Sequence, residues 1–505
     1  MHKSFIALLV IILLASFGIG LADDAPQRTD LTPEDLARVR TITATTGDFS
    51  KAEKFEGLPA GGATSKKLVN RDSFSHFSAN LAFDEQERFN LGNGFFTKLW
   101  VSSPSSTLAS DGLGPLFNSR ACQSCHLKDG RGHPPETAEE NAVSMFLRLS
   151  VPPKDAAEQA QIDAGQTLLF PEPTYGGQLQ NFAVPGLQAE GRMVIDYADA
   201  PVTLGDGSVV TLRAPSYSVA DLGYGPMRKD VMLSPRVAPP MIGLGLLQDV
   251  PQEDILAKAD PNDKDGDGIS GKPNWVMDPV SKQLTLGRFG WKSGAPSIRV
   301  QSANAFNGDI GISTPLVDRP HGDCTAAQAD CLAMPTGEQA ERGVSEAPDP
   351  ILDLVTFYSE NLAVPRRRDI DKPEVLRGKQ AFYDLGCVSC HTPKYVTSRA
   401  AATDGHKFQL IWPYTDMLLH DLGEGLADNR PEGAADGYEW RTPPLWGIGL
   451  TQTVSGHTLF LHDGRARNLT EAILWHGGEA LKSRDGFANL PKSSREDLLA
   501  FLESL

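Results

Sequence analysis

Basic charge, cysteine and long apolar runs are all scarce in this chain. Its 505 residues include 47 Lys and Arg against 64 Asp and Glu, which gives a net charge of −17. This balance excludes a nucleic-acid-binding protein, because such proteins present basic faces. After residue 21 no segment is apolar enough to cross a bilayer, so we expect no stable membrane span.

The apolar run that the chain does contain lies at its start, from Phe5 to Leu21. It follows Lys3, ends in small residues up to Ala22, and is followed by two aspartates. This order is typical of a secretory signal that is removed by cleavage. We therefore predict a signal peptide over residues 1–22.

Four of the six cysteines occur in two copies of one motif, Cys-x-x-Cys-His. Two thiols one helical turn apart can each bond a vinyl group of one porphyrin, and the adjacent imidazole can then ligate the iron. A disulfide, a redox dithiol or half of a zinc site would not need the trailing His. The motifs therefore predict two covalently bound haem c groups, attached at Cys122, Cys125, Cys387 and Cys390, with His126 and His391 as iron ligands.

The other two cysteines, Cys324 and Cys331, stand close together in a polar segment. They can close a small disulfide in an oxidising compartment. Such a compartment agrees with the signal peptide and with c-type haem, which bacteria attach outside the inner membrane. We predict that the mature chain is located in the periplasm.

An internal repeat organises the sequence. A helix with the pattern Gly-x-x-x-Phe precedes the second haem motif at Gly378 to Phe382 and recurs at Gly92 to Phe96. Gly378 would allow the helix to approach a second, amphipathic helix at the end of the chain. Residues 236–246 and 441–450 also resemble each other, with paired prolines before a Gly-x-Gly run.

The repeat predicts a mainly α fold with two cytochrome c-like helical haem domains. We place the first at residues 23–345 with large loop and short β insertions, a linker at 346–368, and the second domain at 369–505. One insertion, Met193 to Leu212, alternates apolar residues around an Asp206-Gly207 turn and predicts a β-hairpin.

Several further strings accompany the haem motifs, namely Asp129-Gly-Arg-Gly132, Gly287-Arg-Phe-Gly-Trp-Lys292 and Leu461-His-Asp-Gly-Arg-Ala466. With these strings the chain resembles the bacterial dihaem cytochrome c peroxidase superfamily, and most closely its dihaem oxidoreductase branch. The resemblance implies an oxidoreductase with one electron-transfer haem and one reactive haem.

The same resemblance implies a peroxidase-like reaction, in which a small oxidant such as peroxide is reduced. A small redox protein or a quinol-linked donor would supply the electrons. A dihaem electron carrier without catalytic activity is the alternative, and it requires that both irons have six ligands. Oxidation of protein thiols has weak support, because the paired cysteines are taken by haem.

The resemblance also suggests a sixth ligand for the second haem. In the family's peroxidases a Met follows the His-x-Gly turn, and His476 stands at that distance after His462. A predicted helix capped by Thr470 would place His476 on an apolar stripe. We predict His476 as the ligand, with His462 and His420 as weaker rivals.

For the reactive haem the family has a Gln and a Glu above the iron. Gln180 and Glu190 reproduce the family's interval, with Gln178 as an alternative to Gln180. Glu190 would move a proton between the two oxygen atoms of peroxide. The internal repeat points elsewhere, to Gln252 and Glu253.

An acidic loop contains Asp263, Asp265 and Asp267, followed by Gly268. Alternating carboxylates can bind calcium, as in an EF-hand loop. The twelfth position is Asn274 and not Glu, so a solvated turn is an equal alternative from the residues alone. Because the related peroxidases hold calcium, we predict a calcium site here.

Overall fold

The structure is a computed structural model that describes residues 28–107, 110–137, 140–339, 341 and 343–505. The predicted signal peptide lies outside these residues. Within the described part of the chain, no helix combines the length and the apolar character that a membrane span requires.

The α-helices vary from single turns to four turns. Those of the described residues are α1 (Pro33–Thr43), α2 (Phe83–Thr97), α3 (Cys122–Cys125), α4 (Ala156–Asp163), α5 (Leu244–Gln248), α6 (Gln252–Leu256), α7 (Ile298–Ala305), α8 (Ala329–Leu332), α9 (Asp349–Glu360), α10 (Pro373–Asp384), α11 (Thr451–Ser455), α12 (Leu469–Leu474), α13 (Leu481–Asn489) and α14 (Lys492–Ser504).

The strands pair only two by two, and each pair is antiparallel except β1 with β2. In chain order they are β1 (Val101–Ser102), β2 (Asp111–Leu113), β3 (Leu116–Phe117), β4 (Met145–Ser150), β5 (Phe182–Ala183), β6 (Arg192–Thr203), β7 (Val209–Ala220), β8 (Met232–Val237), β9 (Trp275–Met277), β10 (Leu284–Leu286), β11 (Tyr395–Val396), β12 (Leu410–Ile411), β13 (Leu419–Asp421) and β14 (Glu439–Arg441).

The prediction of a mainly α fold is only partly supported. Helices contain 30% of the residues and strands 17%, so the chain is a mixed structure with much irregular backbone. The reason lies between the two haem motifs, where long insertions form loops and two-stranded sheets as well as helices.

Two pairs of crossing helices organise the fold, as the internal repeat indicated. In the second pair, α10 crosses α14 so closely that a Cβ atom at Gly378 would lie 1.9 Å from the carbonyl oxygen of Asp497. In the first pair, α2 crosses α9, and a Cβ atom at Gly92 would lie 2.3 Å from the carbonyl oxygen of Leu354. A glycine is therefore required at both crossings.

The helix α9 lies in the segment that we predicted to be a linker. Its residues Leu352, Val355 and Tyr358 are buried in an apolar cluster together with Phe89 and Phe96 of α2. Residues 349–360 thus belong to the first haem unit, where they correspond to the terminal helix of the second.

The predicted hairpin is present as β6 and β7, which are joined by a turn containing Asp206 and Gly207. It belongs to the first half of the sequence but packs against the second half. Tyr217 donates a hydrogen bond to Asp463 (2.7 Å), and Asp206 forms an ion pair with Arg495 (2.6 Å). The hairpin therefore connects the two haem units.

A buried ion cluster anchors an early segment of the chain to the second helix pair. Glu56 pairs with Lys379 (2.9 Å) and with Arg367, and Lys379 also contacts Glu53 (2.8 Å). Burial acts to raise the pKa of Glu56, but the two cations lower it below its ordinary value. The carboxylate is therefore held in its charged form.

Candidate haem cavity

A continuous cavity of about 620 Å³ is lined by residues of both Cys-x-x-Cys-His motifs. The four motif cysteines line it and form no disulfide. Burial raises the pKa of Cys122 and of Cys387 to about 12. A redox dithiol needs an accessible thiolate, so the pKa values argue against thiol–disulfide exchange at either motif.

The two motif histidines have matching surroundings. His126 Nδ1 donates a hydrogen bond to the carbonyl oxygen of Pro239 (2.8 Å), and His391 Nδ1 donates one to that of Tyr414 (2.9 Å). Each bond fixes the ring and leaves Nε2 as the nitrogen that can ligate iron. Burial lowers the pKa of both rings to about 4, which keeps them neutral, as an iron ligand must be.

The Gly-x-x-x-Phe helices position these histidines. The ring of Phe96, on α2, lies 6.3 Å from that of His126, and the ring of Phe382, on α10, lies 6.2 Å from that of His391. The spacing from Gly to Phe is one helical turn, so the residue that permits the helix crossing and the residue that contacts the imidazole lie on one face.

His476 also lines the cavity, close to the second motif. The preceding helix α12 is capped by Asn468, whose side chain accepts from the Glu471 amide (2.9 Å), and not by Thr470 as predicted. His476 lies just beyond the end of this helix, and its Nδ1 donates to the carbonyl oxygen of Ala472 (2.7 Å). Its Nε2 is thereby available, and its proximity contributes to the lowered pKa of His391.

The rival histidine His420 has no nitrogen available for iron. Its Nε2 bonds Asp416 and its Nδ1 bonds Glu479, both at 2.7 Å. Burial acts to lower the pKa of His420, but Asp416 raises it well above its ordinary value. A cationic ring with both nitrogens donating cannot act as a ligand.

The other rival, His462, lines the cavity and stacks on Trp440, with the ring centroids 3.8 Å apart. Its Nε2 is buried and has no hydrogen-bond partner among the described residues. Burial lowers the pKa of His462 to about 3, so the ring is neutral. Nε2 of His462 is thus free of hydrogen bonds, but the ring is stacked on that of Trp440.

Glu190 does not line the cavity, although we predicted it as the catalytic proton carrier. Its side chain is fully buried, and its two oxygens accept from the Gln180 amide and from Gln328 Nε2, both at 2.6 Å. Gln180 in turn donates to the carbonyl oxygen of Gly308 (2.8 Å), which is a wall residue. Gln180 and Glu190 therefore contact a residue of the cavity wall but do not themselves line the cavity.

Neither member of the alternative pair, Gln252 and Glu253, lies at the wall of the cavity. A residue that the sequence did not reveal does line it at the first motif. Asp309 lies in a π-helical turn (Phe306–Ile310), and its charge contributes to the raised pKa of Cys122 and of Cys125. No motif marks it, because it is far from His126 in the sequence.

Two buried guanidinium groups also face the cavity, those of Arg131 and Arg441. Each donates to backbone carbonyl oxygens, and neither has an ion-pair partner in the described part of the chain. Burial lowers the pKa of both to about 10, so both stay charged near neutral pH. Cations without an anionic partner fit the propionate carboxylates of a haem.

Two further predicted sites lie outside the cavity. Cys324 and Cys331 are joined by a disulfide, with their Cα atoms 6.3 Å apart. Their loop supplies Gln328, the partner of Glu190.

Asp263, Asp265 and Asp267 are exposed and bring their ligand atoms within 4.8 Å of one another. Exposed carboxylates often cluster without a metal, so calcium binding stays a prediction.

A comparison with known families gives one match: the model described as "Di-haem oxidoreductase, putative peroxidase" covers residues 58–505. No curated protein matches the sequence. Two solved structures are similar over much of the chain. The diheme peroxidase BthA from Burkholderia thailandensis E264 is 14% identical and covers 89% of this chain and 94% of its own, with a TM-score of 0.35. Hydrazine synthase from Kuenenia stuttgartiensis is 15% identical and covers 74% of this chain and 96% of its own, with a TM-score of 0.25.

Proposed function

Because this chain belongs to the di-haem oxidoreductase family, and is therefore an oxidoreductase with two haems, we propose that it reduces peroxide or a related oxidant in the periplasm. Electrons would reach it from a small redox protein or a quinol-linked donor. When bound, the haems supply sites that accept and release single electrons.

Covalent attachment of both haems is part of this proposal. The thiols of Cys122 and Cys125 would hold the first haem and those of Cys387 and Cys390 the second. Arg131 and Arg441 would bind propionates, which would give each guanidinium a direct ion-pair partner. His126 and His391 would ligate the two irons.

The observation that carries the proposal is a difference between the two ends of the cavity. At the second motif, His391 and His476 both have Nδ1 bonded to a carbonyl oxygen and Nε2 available. Two such rings would complete six ligands and favour electron transfer. At the first motif, His126 is the histidine whose Nδ1 is bonded to a carbonyl oxygen; the ring of His462, which also lines the wall, is stacked on Trp440, and Asp309 and Arg148 line the wall near the motif.

This difference assigns a task to each end. His391 and His476 would hold the second haem, which would receive and pass on electrons. His126 would hold the first haem, where polar side chains of the wall could bind a small oxidant and exchange protons with it. Both haems would share one cavity, so electrons would cross a short distance within the protein.

Spectroscopy of the two irons tests the proposal. We expect electron paramagnetic resonance of the oxidised protein to show one high-spin and one low-spin iron. Hydrogen peroxide should change the high-spin signal, and the protein should oxidise a reduced dye at the expense of peroxide. Two low-spin irons that ignore peroxide would instead identify a dihaem electron carrier.

A further inference from the structure

We propose that Asp309 is the catalytic acid–base residue at the first haem. This inference rests on the proposed function, since it names the proton carrier for that reaction. It replaces Glu190, to which the sequence pointed, with a residue of the cavity wall.

The position of Asp309 is the first support. Asp309 lines the cavity, and its charge acts on both Cys122 and Cys125, the attachment residues of the first haem. Its neighbour Gly308 lines the cavity as well. The carboxylate therefore lies at the edge of the space that this haem would fill.

The hydrogen bonding of Asp309 is the second support. Oδ1 accepts from Gln178 Nε2 (2.9 Å), whereas Oδ2 accepts no hydrogen bond from the residues that the structure describes. One oxygen is thus anchored and the other is free to exchange a proton. In Glu190, by contrast, both oxygens are occupied by protein donors.

The backbone around Asp309 is held in place. Its carbonyl oxygen accepts from the amides of Asn118 (2.9 Å) and Ser119 (3.0 Å), just ahead of the first haem motif. Gln178 also donates to Asn118 Oδ1 (2.5 Å). A π-helical turn is uncommon and frequently marks a functional site, because it redirects a side chain. These contacts fix the carboxylate relative to the motif.

The charge near Asp309 suits a group that binds and releases protons. Burial raises the pKa of Asp309, and the nearby Arg148 partly opposes this effect. Arg148 lines the cavity and forms no ion pair within the described ranges. A guanidinium in this place would stabilise negative charge that develops on a bound oxidant.

In the proposed step, Oδ2 of Asp309 takes a proton from the oxygen of hydrogen peroxide that faces the first haem. It delivers this proton to the other oxygen. The O–O bond breaks, its electron pair stays with the protonated oxygen, and that oxygen leaves as water. Two electrons from a reduced small redox protein and two protons from solvent convert the remaining oxygen to a second water.

The test compares two amide variants of the full-length protein with both haems, Asp309→Asn and Glu190→Gln. Stopped-flow spectroscopy measures the rate at which peroxide changes the first haem. We expect this rate to fall about 100-fold or more in Asp309→Asn, the usual size of a lost acid–base contribution, and less than about threefold in Glu190→Gln. Haem content and redox titration show whether each variant keeps both haems.

A second readout does not depend on turnover. Hydrogen cyanide must lose its proton to bind a ferric haem, so a nearby base accelerates its association. We expect Asp309→Asn to slow cyanide association about tenfold or more. Should this variant lose haem, Asp309→Ser removes the carboxylate with a smaller side chain and receives the same measurements.

Wild-type rates with peroxide and cyanide in Asp309→Asn would overturn the proposal, as would an equal loss in Glu190→Gln. A protein that ignores peroxide but whose cyanide association depends on Asp309 would refute the peroxidase function alone. The two proposals can therefore fail separately.

Discussion

The two haem motifs support their histidines with the same contacts but differ in the other side chains that line the cavity beside them. Behind His126 and His391 lie a glycine-mediated helix crossing, a phenylalanine ring and a backbone carbonyl. The second motif shares the cavity wall with the imidazole of His476, whereas the first shares it with the carboxylate of Asp309 in a π-helical turn.

This contrast teaches which parts of a duplicated haem unit are free to change. The side that holds the iron ligand depends on close helix packing, and a larger residue at Gly92 or Gly378 would clash with backbone. The side chains that differ between the motifs lie where helices end, His476 just after α12 and Asp309 in the turn after α7, and connecting segments tolerate substitution better than helix crossings do. Chemistry can therefore diverge there without loss of haem attachment.

The largest effect is expected from removal of one motif's thiols. Cys122→Ala with Cys125→Ala, or Cys387→Ala with Cys390→Ala, should each reduce the haem additions seen by mass spectrometry from two to one. Cys324→Ala with Cys331→Ala is the matched control and should keep both. A mature chain that contains zinc and no haem would contradict the prediction that both motifs attach haem.

The next largest effect concerns His476, the second imidazole at the second motif. His476→Ala should convert the second iron from low to high spin, while His476→Met should keep it low-spin and raise its reduction potential, because a thioether ligand favours the reduced iron. His420→Gln is the control and should leave the spin state unchanged. An unchanged spectrum in His476→Ala would make His462 the better candidate.

The smallest effects concern the free energy of unfolding and two buried carboxylates, one beside each helix pair. The pKa of Glu56 is lowered, so its stabilising contribution is present above the ordinary carboxyl pKa and is lost as the pH falls through the folded-state value. Glu56→Gln should lower the free energy of unfolding by about 3 kcal/mol at pH 7, because Lys379 and Arg367 lose their buried partner. Urea denaturation measures the change.

Asp129, in the first unit, is expected to behave in the opposite way. It accepts hydrogen bonds from Ser75 (2.6 Å) and Tyr358 (2.8 Å), and burial raises its pKa to about 6. Its contribution is therefore present at low pH and lost as the pH rises through about 6. Asp129→Asn should remove this fall, because an amide does not titrate in this pH range. Equal pH profiles for the two variants would contradict the comparison.

Local patterns in the sequence predicted the features that depend on neighbouring residues. The haem motifs, the glycine crossing at Gly378 and the turn at Asp206 each rest on a few adjacent positions. The helix α9 was missed because its partner α2 lies far away in the sequence. Without knowledge of the partner helix, its residues resemble those of a linker.

The candidate site was harder to predict for the same reason. The interval from Gln180 to Glu190 matches a family pattern, but the structure buries Glu190 against Gln328 of the disulfide loop. Asp309 reaches the first motif through contacts with Asn118 and Gln178. Contacts between such distant segments leave no periodic signal in a single sequence.

The β6–β7 hairpin has a consequence for how the two haem units can exist apart. Leu204, at the end of the hairpin, and Leu212 are buried in the same apolar cluster as Phe382 and Phe501 of the second unit. A fragment from residue 369 onward would expose this cluster to water. The core of the second unit is thus completed by residues from an earlier part of the chain.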